Sequence, residues 1–175
     1  MWQKVTGIIL KKNRTRDNDQ SLVVYTKELG KILVYGKGAQ KITSKRLGAL
    51  DTLNYVEMVV REFNQNFSLR EVYLKSSLLS LKLDYQKKKH FLLIVEILDK
   101  LTSLNQKDTE LFNFLKQFLV SEAKSNVSEE YFFEKTLELL KVMGYSLPPL
   151  SLRTWPSLEK YIETLSQKTL LSREL

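Results

Sequence analysis

The chain has 175 residues, enough for one domain or two small ones, and its 43% apolar share is that of a folded protein. With no cysteine and a single histidine, His90, it has no disulfide framework, no thiol nucleophile and no donor set for a closed Cys/His zinc site. The formal net charge of +8 calls for an anionic partner and is lopsided, with residues 1–75 holding +7 and residues 76–175 only +1.

In chain order, "KVTGIIL" reads as a first strand. Its apolar run is too short for a signal-peptide core, and the longest later run, "FLLIV", stops at Glu96, far short of a membrane span. A cytoplasmic protein without membrane contact is expected. A polar connection, "KKNRTRDNDQ", carries Lys11, Lys12, Arg14 and Arg16, diluted by Asp17 and Asp19. "SLVVYTK", rich in β-branched and aromatic residues, is a second strand, and "ELG" is a short hairpin connection ending in glycine. "KILVYGKG" is a third. "LNYVEMVVREF" and "FSLREVYLK", separated by "NQN", complete five strands over residues 1–75. That number of strands, with a long loop after the first, suits an OB-type barrel, although periodicity alone leaves an SH3-like barrel open.

From residue 76 the period changes to helical. Phe91, Ile94, Val95, Leu98 and Leu101 form one apolar stripe. Leu111, Phe114, Leu115, Phe118 and Leu119 form a second, with Asp108 as its N-cap. Ser128 opens a third helix with Glu129 and Glu130 in its first turn; Gly144 ends it, and Pro148 and Pro149 prevent its resumption. Leu158, Tyr161, Ile162 and Leu165 mark a last helix. The expected fold is α+β: an OB-type nucleic-acid-binding domain over residues 1–75 and an α-helical domain over 76–175.

The chemistry concentrates in "GKGAQKITSKRLGAL", residues 36–50. Lys31, Lys37, Lys41, Lys45 and Arg46 stand in a stretch without acid from Leu29 to Leu50, and Gly36 and Gly38 let backbone come close to a ligand. Such a loop suits a phosphate chain, because neutralising phosphates releases condensed counterions; the alternative is a solvated loop with no partner. Its spacing does not match the GxxxxGK[ST] nucleotide loop. Lys11, Lys12, Arg14 and Arg16 lie where an OB-fold builds one wall of its groove. Tyr35, beside the basic loop, is a candidate for base stacking, as are Tyr25, Phe63 and Phe67, against the alternative of core packing. No Ser/His/Asp set is present, and Asp17/Asp19 lack the glycine and closing glutamate of a calcium loop. An enzyme is not expected, nor is any cofactor or metal.

Several of these segments resemble a known family. "YTKELGK" at 25–31 and "KGA" at 37–39 resemble the T-x-E-x-G-K and K-G-A elements of the RecO family, bacterial recombination mediators, in the same order. "SKRLGAL" at 44–50 resembles its Ser/Arg/Leu segment more loosely. "FEKTLELLKVMGYSLPPL" at 133–150 and "LEKYIETLSQKTLLSREL" at 158–175 resemble its helical half and closing helix. Many members carry a four-cysteine zinc module after the "GY-x-P-x-L" segment. Here "GYSLPPL" runs almost directly into "SLRTWPSLEKY", so the chain reads as a short member without that module. The resemblance implies a non-enzymatic protein of DNA repair and recombination after DNA damage. It would bind single- and double-stranded DNA, anneal complementary strands and act with RecR to load the recombinase. The acidic C-terminal tail of the single-strand-binding protein would be a further partner. An OB-fold RNA-binding module, or a basic scaffold for acidic proteins, would share the charge and fold but not the motif order.

Overall fold

A computed structural model describes residues 1–14, 19–37, 48–78, 83–124, 128–149 and 153–167. Five strands come first: β1 (Trp2–Arg14), β2 (Gln20–Thr26), β3 (Gly30–Gly36), β4 (Tyr55–Phe63) and β5 (Asn66–Ser76). Four helices follow among the described residues: α1 (Tyr85–Leu101), α2 (Thr109–Lys124), α3 (Glu129–Val142) and α4 (Trp155–Ser166). None of them is long and apolar enough to cross a membrane.

The strands close into a barrel in the order β1-β2-β3-β5-β4, with β3 and β5 parallel and the other pairs antiparallel. This is the OB-type arrangement, and it decides the question that periodicity left open. Alternation drives it: Val5, Leu22, Val24, Ile32, Val34, Met58 and Val60 point inward and are buried, while their neighbours point out. β1 is long enough to pair with β4 through its first half and with β2 through its second. Gly7 lies where the two pairings meet. A Cβ there would come within 2.8 Å of the Tyr25 carbonyl oxygen, so a side chain would force β1 and β2 apart.

By its internal contacts the chain divides into two compact units, Met1–Leu78 with Ser103–Phe112, and Leu79–Thr102 with Asn113–Leu175. The first is the barrel joined by a segment distant in sequence. β3 meets β5 only at Val34 and Tyr35; lower on the same strand, Lys31 bridges in parallel to Leu104. The Asn105 N–H donates to the Lys31 carbonyl at 2.7 Å, and Asn105 Nδ2 donates to the Gln65 carbonyl at 3.3 Å.

The second unit is held by rings. The Phe132 ring stacks on His90 at 4.3 Å and lies 5.6–5.8 Å from Phe91, Phe118 and Trp155. The expected caps are present: Leu111 N–H donates to the Asp108 carboxylate at 2.9 Å, and Tyr131 N–H to the Ser128 hydroxyl at 3.2 Å. Gly144 takes φ +84° just after α3, as a helix-ending glycine does.

Candidate nucleic-acid interface

The segment "YTKELGK" is a piece of architecture. Thr26 Oγ1 donates to the Gly30 carbonyl at 2.8 Å and accepts from Leu29 N–H at 3.1 Å, which tightens the β2–β3 turn. The Glu28 carboxylate accepts from Thr6 N–H at 2.8 Å, tying that turn to β1. Gly30 has φ +71°, and a Cβ on it would lie 1.8 Å from the Gln106 carbonyl oxygen, so glycine is demanded both by the backbone and by the incoming segment. Lys31 is only 6% exposed. It lies opposite Tyr25, itself buried, whose hydroxyl is held protonated to higher pH by burial and then by the Asp108 charge. Lys31 therefore does not share the exposed setting of Lys37.

Of the remaining basic candidates, Lys11, Lys12 and Lys37 are described and exposed. The polar stretch after the first strand, expected as a loop, continues β1 through Arg14, because its backbone keeps pairing with β2: Lys11 with Val23, Lys12 with Leu22 and Arg14 with Gln20. A register shift between Ile9 and Lys11 inserts one residue, Leu10, which is buried, and Lys11 and Lys12 emerge exposed beyond it. Gln20 in turn lies opposite Gly36, next to exposed Lys37. Arg14 and Lys37 thus sit at the same end of the β1-β2-β3 sheet, about two strand spacings or ~10 Å apart along the row. The Asn13–Ser21–Tyr35 row runs beside them, and Tyr35 is 45% exposed on the outer face.

The return of the basic loop is anchored at the same end. Buried Asn54 donates through Nδ2 to the carbonyls of Gly48 and Ala49, at 3.1 and 2.9 Å. Leu50 enters the barrel core, and Leu53 N–H donates to the Ile9 carbonyl at 2.8 Å. Lys12 Nζ forms an ion pair with Asp51, so one of the exposed cations is also engaged in holding the loop's root. Arg16, Lys41, Lys45 and Arg46 lie outside the described residues, as do Gly38 and Ala39 of "KGA".

Among the aromatic candidates, Phe67 is in the core beside Leu69 and Tyr25 is buried, whereas Tyr35 and Phe63 are exposed. The sequence reading passed over Trp2, Arg61 and Arg70. They stand on three different strands and are united by register, for which linear spacing gives no signal. No group of His, Cys, Asp and Glu able to hold a metal occurs among the described residues. His90 is packed against rings. With no cysteine anywhere in the chain, its residues do not fit a structural zinc site.

Residues 1–77 match the family described as the N-terminal part of recombination protein O. Proteins named DNA repair protein RecO are similar along most of the chain. The one from Alkaliphilus metalliredigens is 26% identical over 83% of this chain and 58% of its own length. The one from Clostridium perfringens is 30% identical over 81% of this chain and 58% of its own length. That from Prosthecochloris aestuarii is 31% identical over 66% of this chain and 44% of its own length. The chain thus spans less than two thirds of the length of these curated relatives, and the match to the family's N-terminal part covers its barrel.

Proposed function

With that likeness as premise, we propose that the chain is a RecO-type, DNA-binding recombination mediator of DNA repair, acting in the cytoplasm without enzymatic activity. The observation that carries this reading is that exposed Lys11 and Lys12 on β1 and exposed Lys37 after β3 flank the root of an acid-free basic loop on a RecO-type barrel. Lys41, Lys45 and Arg46 belong to the chain between Lys37 and Gly48 and extend the same reading. Phosphates bound there release counterions, and lowering the charge of two strands at once removes the main barrier to their pairing. Binding through phosphates carries little sequence preference, which suits a protein that anneals whatever strands are complementary. Relationship to the RecO proteins supports two partners, RecR and the acidic tail of the single-strand-binding protein.

The test compares binding of the full chain to single-stranded DNA, duplex DNA, single-stranded RNA and an acidic tail peptide at one salt concentration. A strand-annealing assay with and without chelator accompanies it. We expect binding to both DNA forms, annealing, and no effect of the chelator. Preference for RNA without annealing would replace this reading with an RNA-binding one, and binding to the peptide alone would leave a protein scaffold.

A further inference from the structure

Tyr35 is also the start of a second row on the outside of the barrel. It lies opposite Ser68 on β5, Ser68 lies opposite Arg61 on β4, and Arg61 lies opposite Trp2 on β1. The adjoining residues Val34, Phe67, Leu69 and Val60 all point into the core, so by alternation this row faces out. Phe63 follows two residues after Arg61 on the same face and is 64% exposed. Arg70 is the extra residue at the register shift where Leu69 pairs with Val60 and Glu71 with Val59. Such a bulge re-aims its side chain, and the Arg70 guanidinium lies 5.4 Å from the centroid of the Trp2 ring. The Arg61 guanidinium lies 5.2 Å from the same ring. The electron-rich indole offsets the repulsion between these two cations and holds them together at the surface. Arg70 also approaches Glu71 at 3.6 Å, but that carboxylate is shared with the Tyr73 hydroxyl at 2.7 Å.

We infer that this face is a second seat for single-stranded DNA, in which Arg61 and Arg70 take backbone phosphates and the rings of Tyr35 and Phe63 take unpaired bases. The inference rests on the DNA-binding reading above and extends it to residues outside the basic loop. Its chemistry is that of a stacking platform: cations that track a phosphate chain, with exposed aromatic rings set between them. The polar Ser68 and Asn66 separate the rings, so the face offers no continuous apolar surface for a protein partner. The net +7 of residues 1–75 is complementary to a polyanion. Beyond Tyr35 the same row passes through buried Ser21 to exposed Asn13, two residues after Lys11.

The chain has two tryptophans, so Trp155→Phe leaves Trp2 as the sole reporter on this face. Titration of the full chain carrying that change with an oligo-thymidine strand at low salt should alter Trp2 emission. Phe63→Ala and Tyr35→Ala should each weaken oligo-thymidine binding about tenfold. The pair Arg61→Ala and Arg70→Ala should reduce the salt dependence by about 1.4 in log K per log salt, for two single-strand phosphates. Phe63→Leu keeps an apolar side chain but removes the π-face, so it should weaken binding as Phe63→Ala does; full affinity in Phe63→Leu overturns the stacking. A strand that binds tightly, is released by Lys11→Glu with Lys37→Glu, and ignores all four changes on this face overturns the second seat while leaving the DNA-binding reading intact. Failure to bind any DNA overturns both.

Discussion

The first 75 residues carry a net charge of +7 and the remaining hundred +1, and a carboxylate shared by two lysines illustrates that surplus. In the barrel, Lys4 and Lys75 share one carboxylate, Glu57, at 3.2 and 3.4 Å, and the Lys4 hydrogen bond, with Lys75 adding, holds that carboxyl below its usual range. In the helical unit, Lys100 and Lys135 each have their own glutamate at 2.6 Å, Glu96 and Glu138. The cause lies in how each unit is held. A barrel strand commits every second residue to the core and binds its neighbours through backbone, so the outward residues carry little packing duty. The helices fasten to one another through rings such as Phe132, Phe91, Phe118 and Trp155. The difference teaches that surplus charge collects where the backbone does the holding.

Four substitutions or changes of condition break or sharpen this contrast, in falling order of expected effect. Phe132→Ala removes the centre of the ring cluster and should cost about 3–5 kcal/mol of the helical unit's stability, read by chemical denaturation of the helical signal. A cost under about 1 kcal/mol would show that the rings are not its main support. Gly30→Ala tests the backbone side. The left-handed conformation costs about 1–2 kcal/mol for a residue with a Cβ, and the collision with Gln106 adds to it, so the barrel should lose about 3 kcal/mol in all. A variant that melts like the parent would refute the account of the turn.

Lys11→Glu with Lys37→Glu should weaken DNA binding at least tenfold at low salt, about 1.4 kcal/mol, with an unchanged melting temperature. Changing Lys87, Lys88 and Lys89 to glutamate should weaken it less, and the reverse order would move the interface to the helical unit. The smallest effect is that of pH on His90. Burial holds its pKa below the ordinary value, with Lys89 acting in the same direction and Glu129 and Asp84 opposing. The unfolded chain therefore binds the proton more readily. This contribution to stability is present above the ordinary histidine range near pH 6.5 and is lost as pH falls through it. The helical unit should melt lower at pH 5.5 than at pH 7.5, and His90→Phe should diminish the difference; an equal drop in that variant would assign it to other groups.

Much of this was legible in the sequence. Five strands, four helices and the caps Asp108, Ser128 and Gly144 follow from period and local chemistry, which act within a few residues. The continuation of β1 through Lys11–Arg14 was not legible, because those residues are polar and exposed and owe their strand to pairing with β2. Lys31 was read from its charge as part of the basic site, yet its setting is decided by Tyr25 across the sheet and by Leu104 at its edge. The meeting of Trp2, Arg61 and Arg70 depends on register and on a bulge, and neither leaves a trace in linear spacing.

The bridge from Lys31 to Leu104 also bears on how the protein is made. β3 leaves the ribosome long before the segment that completes its edge, since all of α1 must be synthesised in between. At about 5–20 residues per second, the 73 residues from Lys31 to Leu104 take roughly 4 to 15 seconds. Throughout it, the donors and acceptors on that part of β3 face whatever is near, and an open strand edge is a template for pairing with another chain. A fragment ended at residue 77, where the family match stops, would keep that exposed edge permanently.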